Sequence, residues 1–161
     1  MDFKNCMLKS ASLDNYDDYL KIRAEKKNLF WTGYEDPPEY NRFLNWYKNR
    51  IVDPNKHLYL LYYEKQCLGS LNIDYYDGYA YIGYSVKTKY EGSGYGTYLV
   101  RSAIELVKIN KNISIIKAWI NYQNVCSIKV IKKNNFYLSG ITETRKKFGV
   151  DEKYYEFVLE I

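Results

Sequence analysis

Residues 84–99 read YSVKTKYEGSGYGTYL, and this stretch decides the fold. Gly92, Gly94 and Gly96 occupy every second position, directly after an alternating apolar segment and directly before an amphipathic one. Glycines that lead a strand into the first turn of a helix expose backbone N–H groups at the positive end of the helix dipole. The stretch therefore predicts either a cradle for a phosphate group or a tight strand–helix connection without a ligand.

Two familiar phosphate-binding motifs do not fit these glycines. A nucleotide P-loop would place Gly-Lys-Ser/Thr after the last glycine, but Gly96 is followed by Thr97 and Tyr98. A dinucleotide-binding fingerprint needs its third glycine one position later, within an early β-α-β unit. Three segments with the pattern of antiparallel strands precede the glycines here, so the dinucleotide motif fails as well.

The chain before the glycines predicts two helices followed by an antiparallel meander. Asp77-Gly78 is a strong hairpin signal within that meander. Pro37-Pro38 marks the start of the second helix, after a loop rich in aromatic and acidic residues. The expected elements are a strand at 3–9, a helix opening at 13–14, a loop at 28–40, a helix from the prolines through 47, and strands at 57–64, 67–75 and 79–86.

The chain after the glycines predicts an amphipathic helix and then a strand–helix–strand–strand unit. Apolar residues of the amphipathic helix share one face, which is typical of packing on a sheet; they are Leu99, Val100, Ala103, Ile104 and Val107. The later elements are expected at 113–120, 125–133, 136–144 and 154–161. The whole chain, 1–161, is thus one α/β (α+β) domain with a mixed, mostly antiparallel sheet of about seven strands and about four helices.

Composition restricts the class of protein. The chain has 161 residues, 47% of them apolar, which fits one domain with a substantial core. Its net charge of +5 favours an anionic partner such as a phosphate group, but no nucleic-acid-binding motif stands out, so we expect no nucleic-acid partner. Cys6, Cys67 and Cys126 lack paired spacing, which argues against disulfides and a metal site and for a reducing, cytoplasmic setting.

No apolar run reaches the length of a signal peptide or a membrane span, so no membrane partner is expected. The sequence leaves open whether the protein is a monomer or a homodimer.

A second segment chooses between the two interpretations of the glycines. Residues 118–136 read AWINYQNVCSIKVIKKNNF: a strand, Asn124, a short helix with Ser127, and Asn135-Phe136. Together the two segments resemble the GNAT superfamily of acyl-CoA-dependent N-acetyltransferases. In that family an (Arg/Gln)-x-x-Gly-x-Gly turn is followed, one helix and one strand later, by Asn-x-x-Ala/Ser and a Gly-Phe ending. The resemblance covers most of the chain and implies acetyl-CoA as the acyl donor and a sheet whose central strands splay apart.

The resemblance implies a set of coenzyme-binding residues. A strand containing Tyr84, Ser85 and Val86 would hydrogen-bond the pantetheine arm through its backbone. Asn124 would contact the pantetheine region or brace the opened strands, or would only cap the following helix, and Ser127 would lie near the thioester as a packing residue. The pyrophosphate would be wrapped by Glu91, Gly92, Ser93, Gly94, Tyr95, Gly96 and Thr97.

The sequence departs from the family pattern at four positions. Glu91 stands where the family has Arg or Gln, so a cation near the phosphates is missing, and Asn135 replaces a glycine. Ile131 and Tyr81 stand where the family often has its acid and its base. No residue inherits either catalytic role; the replacements by location on strands near the expected cleft are Tyr81, Asp74, Glu64 and Tyr137, and a water chain is an alternative.

The acceptor pocket is expected, from the same resemblance, between the loop that joins the first two helices and the loop that joins the last two strands. Trp31, Tyr34 and Glu35 are the candidate acceptor-binding residues, because flat aromatic faces suit a sugar ring or a base and a carboxylate attracts an amine. The predicted function is acetyl transfer from acetyl-CoA to the primary amine of a small molecule, with an amino sugar preferred. The alternatives are a protein N-terminal acetyltransferase and a catalytically inactive acyl-CoA-binding module.

Overall fold

The computed structural model describes residues 3–110 and 112–161, which form a seven-stranded mixed sheet with helices on both faces. The strands are β1 Cys6–Ser10, β2 Lys56–Tyr63, β3 Gln66–Tyr75, β4 Tyr79–Val86, β5 Ile115–Asn121, β6 Tyr137–Lys147 and β7 Val150–Glu160. The α-helices are α1 Tyr16–Ala24, α2 Lys26–Thr32, α3 Tyr40–Val52, α4 Tyr95–Lys108 and α5 Val125–Lys133. The predicted fold class, a single mixed α/β domain with a seven-stranded sheet, is confirmed.

The sheet has the strand order β1-β2-β3-β4-β5-β7-β6, and its neighbours are antiparallel except for β4 and β5. The parallel register of β4 and β5 covers three residue pairs and ends at Tyr81↔Lys117. Within the described residues the two strands do not pair beyond this point, and they diverge toward Val86 and Asn121. The predicted splaying of the central strands is therefore present.

Two apolar clusters cover the two faces of the sheet. The larger one lies under α4, whose five predicted core residues are all buried. The smaller one joins α1 and α3 to β2 and consists largely of tyrosines, among them Tyr16, Tyr19 and Tyr47. The hydroxyl of Tyr47 donates to the Asn15 side chain at 2.7 Å, so its one polar atom is satisfied inside an apolar cluster. These clusters pack against the sheet and hold it in place. The sheet opens where β4 and β5 stop pairing.

The segment expected as a loop between the first two helices contains a further helix, α2, so that part of the prediction was wrong. The buried Asn28 side chain donates to the Ile22 carbonyl at 2.8 Å, and the Thr32 hydroxyl donates to the Asn28 carbonyl at 2.7 Å. Gly33, in the left-handed region with φ 80°, ends the helix. A helix of two turns depends on such side-chain contacts rather than on apolar periodicity, which is why the sequence pattern did not indicate it.

The α3 helix begins after the two prolines rather than at them. Both carboxylate oxygens of Glu39 accept from backbone N–H groups, those of Asn41 and Arg42, so Glu39 caps the helix. In the described parts of the chain, no helix combines the length and the apolar character needed to cross a membrane.

Candidate active site

The divergence of β4 and β5 opens into a cavity of about 830 Å³. This volume lies in the range typical of sites for small molecules and cofactors. Its walls come from β4, the glycine turn, the start of α4, β5, α5, α2 and β7. The lining residues used below are Lys27, Asn28, Trp31, Thr32, Gly83, Tyr84, Ser85, Val86, Glu91, Gly92, Gly94, Tyr95, Gly96, Thr97, Trp119, Asn121, Asn124, Ser127, Lys129, Lys132, Lys133 and Tyr154.

The glycine turn forms one end of the cavity. Gly94 has φ 80° and is the N-cap of α4, so the first N–H groups of that helix point out of a turn that has no side chain on its cap residue. Gly96 lies against α5 and β4, because a Cβ there would be 3.4 Å from Val130 and 3.5 Å from Tyr84. The turn therefore has the geometry of an anion cradle at a helix N-terminus.

The splayed end of β4 forms the floor of the cavity. On one side Tyr84, Ser85 and Val86 pair with β3. On the other side, as far as the described chain shows, no strand pairs with them, which leaves edge N–H and C=O groups for an extended ligand. The Tyr84 hydroxyl donates to the Ser127 carbonyl at 3.3 Å, and burial raises the pKa of Tyr84 to about 12. Tyr84 thus connects β4 to α5, and its hydroxyl stays protonated at neutral pH.

Of the twelve predicted coenzyme-binding residues, the structure brings eleven to this cavity. The remaining one, Ser93, lies within the glycine turn, between two residues that do line the cavity. Their contacts with a coenzyme stay a prediction.

Asn124 caps α5, and its side chain also lines the cavity. Its Oδ1 accepts from the Ser127 backbone N–H at 3.1 Å, which is the N-cap interaction that the sequence indicated as an alternative. A capping role and a coenzyme contact are compatible, because an amide oxygen engaged with Ser127 leaves the amide N–H₂ group as a donor.

We expect Asn124→Ala to lower the free energy of unfolding by about 1 kcal/mol through loss of the cap, and to weaken coenzyme binding by roughly tenfold through loss of one hydrogen bond. Asn124→Asp retains a capping oxygen but not the amide donor, so it should recover the stability and not the affinity. Thermal unfolding and calorimetric titration with acetyl-CoA measure the two effects. Full affinity in Asn124→Ala would reduce the residue to a helix cap.

The four predicted catalytic candidates lie outside the cavity lining that the described residues define. Glu64 is exposed in the β2–β3 turn, and the exposed Tyr137 donates to Glu160 at 2.7 Å. Asp74 is paired with Arg50 of α3, which occupies its carboxylate. Tyr81 lies close to the side chain of Trp119, a residue of the cavity wall. A catalytic role for any of the four stays a prediction.

Tyr81 also connects to a buried carboxylate that the sequence analysis did not identify. Its hydroxyl donates to Glu156 of β7 at 3.1 Å, and Glu156, 2% exposed, lies 3.5 Å from the Lys117 ammonium. Burial and the neighbouring Glu156 raise the pKa of Tyr81, so the phenol remains protonated at neutral pH. The position of Glu156 within the otherwise apolar and aromatic stretch 154–159 was the sequence signal that could have indicated a buried acid.

Aromatic side chains surround the other end of the cavity. Trp31 of α2 faces this space together with Trp119 of β5 and Tyr154 of β7. Tyr34 is 59% exposed, and neither it nor the exposed Glu35 is among the lining residues. Of the three predicted acceptor residues, the structure therefore brings Trp31 to the cavity and leaves the other two outside its lining.

The β6–β7 hairpin fixes α2 in place through Lys147. The Nζ of this lysine lies 3.4 Å from the ring centre of Phe30 and 4.9 Å from that of Trp31. It has no hydrogen-bond partner among the described residues, and its burial lowers the pKa of Lys147. The aromatic faces and the nearby Glu152 carboxylate stabilise the ammonium. The contact with Lys147 thus links Trp31 to the β6–β7 hairpin.

Fold, cavity and sequence together define the class of this protein. Residues 19–136 match the model of the Acetyltransferase (GNAT) family, and this match spans most of the chain. The chain belongs to the GNAT acetyltransferase family. It is an acetyl-CoA-dependent N-acetyltransferase.

Solved structures of other acetyltransferases share the fold. Spermidine N-acetyltransferase from Vibrio cholerae, in complex with CoA and spermine, is 14% identical, with a TM-score of 0.86 over 97% of this chain and 95% of that one. Ribosomal-protein-alanine N-acetyltransferase from Brucella melitensis is 18% identical, with a TM-score of 0.83 over 96% and 99% of the two chains. A putative acetyltransferase from Salmonella typhimurium with its cofactor acetyl-CoA is 15% identical, with a TM-score of 0.78 over 98% and 94%. No curated protein matches the chain in sequence.

Proposed function

We propose that the protein acetylates the primary amine of a small neutral ring compound, with an amino sugar as the preferred acceptor. The observation that carries this proposal is the chemistry of the cavity end opposite the glycine turn. Trp31, Trp119 and Tyr154 line that end, and Arg145 lies over the Trp119 and Tyr154 rings, 5.4 and 4.6 Å from their centres. The buried amides of Asn28 and Asn121 lie beside them, with their N–H₂ groups donating to Ile22 and Glu152. Sugar rings are bound by such a combination of aromatic faces and neutral hydrogen-bonding groups.

The charges of the cavity argue against a polycationic acceptor. Glu91 is the one acidic residue among the described residues of the lining, and it is paired with Lys27. The basic residues of the lining outnumber it; they are Lys27, Lys129, Lys132 and Lys133. A polyamine or an aminoglycoside carries several positive charges and would require acidic partners. A monoamine without further cationic groups is compatible with these walls.

The same cavity supports a placement of the coenzyme. In this proposal the pyrophosphate binds the N–H groups of the glycine turn around Gly94, and the pantetheine arm extends along Tyr84, Ser85 and Val86. The thioester then lies where β4 and β5 diverge, between the glycine turn and the aromatic end. The neutral amine attacks the thioester carbonyl, a C–N bond forms, the C–S bond breaks and CoA departs as a thiolate.

Two protons move in this reaction. The attacking nitrogen loses one, and the thiolate takes one up. A water chain from the open cavity to solvent is the proposed route for the proton of the amine, and Tyr81, which contacts Trp119 and Glu156, is the side chain proposed to lie closest to that route. A positioned proton acceptor contributes about 10²–10⁴-fold to such a step, so a solvent route is compatible with turnover.

A turnover screen tests the proposal. Release of free CoA thiol is measured with acetyl-CoA and amino sugars, nucleotide-linked amino sugars, polyamines, aminoglycosides and short peptides. We expect turnover of an amino sugar and a fall in kcat/KM of roughly tenfold or more in Trp31→Ala, through loss of one stacking face. Trp46→Ala is the matched control, because Trp46 is exposed on α3 and is not in the lining.

Two results would reject the amino-sugar proposal. Turnover of peptides alone, undiminished by Trp31→Ala, would favour a protein N-terminal acetyltransferase. Tight binding of acetyl-CoA without turnover of any amine in the panel would favour a catalytically inactive acyl-CoA-binding module.

A further inference from the structure

We propose that Lys27 of α2 supplies the cation for the coenzyme pyrophosphate that the glycine motif of this chain lacks at position 91, and that α2 thereby joins the coenzyme site to the acceptor site. The inference rests on the proposed placement of the pyrophosphate at the glycine turn. It adds a binding residue from another element to that placement, since Lys27 precedes Glu91 by 64 residues along the chain.

The first observation is the position of the Lys27 ammonium. It forms an ion pair with the carboxylate of Glu91, the first residue of the glycine motif, and both side chains line the cavity. Neither is closed off, since their side chains are 41% and 35% exposed. An ammonium that is already next to the motif and open to the cavity can contact a phosphate oxygen after a change of side-chain rotamer alone.

The second observation is the negative charge of Glu91 next to the proposed pyrophosphate position. A carboxylate at residue 91 repels a pyrophosphate placed at the adjacent backbone N–H groups, because like charges within a few ångströms disfavour each other. Lys27 neutralises that carboxylate in the unliganded protein. When the pyrophosphate is bound, the ammonium lies between two anionic groups and stabilises both, as charge-assisted contacts do.

The third observation is that α2 is attached to the glycine turn at a second point. Glu25, which precedes α2, accepts from the backbone N–H of Thr88 at 2.8 Å and from its hydroxyl at 2.9 Å. Thr88 begins the short turn Thr88–Tyr90 that leads into the glycines. The start of α2 is thus held against the phosphate end of the cavity, and the position of Lys27 does not depend on a single exposed ion pair.

The same helix carries the acceptor wall. Lys27 and Trp31 are four residues apart, so they lie on one face of α2, one turn from each other. Both line the cavity, Lys27 near the glycine turn and Trp31 at the aromatic end. The pyrophosphate and the acceptor would therefore contact the same face of one fixed helix, one turn apart.

Binding of coenzyme fragments tests the inference without knowledge of the acceptor. Calorimetric titrations of the wild type, Lys27→Met and Lys26→Met would use CoA, dephospho-CoA, which lacks the 3′-phosphate, and pantetheine, which lacks all phosphates. We expect Lys27→Met to weaken CoA and dephospho-CoA by the same factor, roughly tenfold or more, and to leave pantetheine unchanged. Lys26→Met, at an exposed neighbouring position outside the lining, should bind all three ligands as the wild type does.

Glu91→Gln provides the complementary test. It removes the repelling carboxylate, so Lys27→Met with Glu91→Gln should bind dephospho-CoA more tightly than Lys27→Met alone. Equal affinities of these two variants would contradict the arrangement of the two charges around the pyrophosphate.

Each remaining outcome overturns the inference in a distinguishable way. A loss in Lys27→Met for CoA but not for dephospho-CoA would assign Lys27 to the 3′-phosphate. A loss that is equal for pantetheine would mean that the substitution displaces α2 rather than removing a phosphate contact. A wild type that binds pantetheine as tightly as CoA would reject the pyrophosphate placement itself, and the role of Lys27 with it.

Discussion

Gly94→Val is expected to weaken acetyl-CoA binding by roughly a hundredfold or more, since several charge-assisted hydrogen bonds to phosphate are lost together. Gly94 has φ +80°, which L side chains rarely adopt, and it caps α4 at the glycine turn. A valine there places a branched side chain over the N–H groups proposed to hold the pyrophosphate. Its Cβ would lie 3.3 Å from Cζ of Phe3, a close contact that the Phe3 ring can relieve by a small shift.

Gly78→Val is the matched control for this experiment. Gly78 has φ +77°, a Cβ there meets no atom within 4 Å, and the residue lies in the β3–β4 turn, away from the splayed end of β4. Both variants carry the same kind of backbone strain, so their thermal stabilities should fall by similar amounts while only Gly94→Val loses the coenzyme. Calorimetric titration and thermal unfolding measure the two quantities. If Gly94→Val binds acetyl-CoA as well as Gly78→Val does, the cradle lies elsewhere.

Gly69→Ala is expected to lower the free energy of unfolding by about 2–3 kcal/mol, the cost of overpacking a rigid site, and the melting temperature by roughly 5–10 °C. A Cβ at Gly69 would lie 2.4 Å from the Ser85 carbonyl oxygen, a backbone atom of β4. That oxygen can recede only if β4 moves away from β3. Because Ser85 is in the proposed pantetheine-binding strand, coenzyme affinity should fall as well.

Gly83→Ala separates this effect from a general intolerance of alanine in the two strands. Gly83 is on β4, and the nearest atom to a Cβ there is the Asn72 side-chain nitrogen at 3.9 Å. Its thermal stability should stay near that of the wild type. A melting temperature of Gly69→Ala equal to that of Gly83→Ala would contradict the close contact between β3 and β4 at Ser85.

Local patterns were sufficient for most of the sheet and for the residues that line the glycine end of the cavity. Alternating apolar residues and the Asp77-Gly78 turn located the meander within one or two residues, and α5 begins and ends at the predicted residues, Val125–Lys133. The glycines at 92–96 and Asn124 were identified from spacing and family resemblance together. Each of these signals is contained in a short stretch of the chain.

The acceptor half could not be predicted in the same way, because it depends on contacts between distant segments. Trp119 and Tyr154 are ordinary strand residues until β4 and β5 stop pairing, and the residue pair at which they stop is set by packing of the whole sheet. The α2 helix depends on Asn28 and on the remote Lys147, and the pairing of Lys27 with Glu91 joins two segments that are distant in the sequence. Periodicity carries no information about such contacts.

The short ladder between β4 and β5 has a consequence for cooperativity. Three residue pairs join the β1–β4 meander to the unit of β5, β7 and β6 within the sheet, and the apolar core under α4 is the other connection between the two units. Segments with few shared hydrogen bonds open as separate cooperative units. A coenzyme lying in the gap would take the place of the missing strand pairing and make the two units unfold as one. Binding of the coenzyme would then determine whether the two units unfold together or separately, in addition to its part in catalysis.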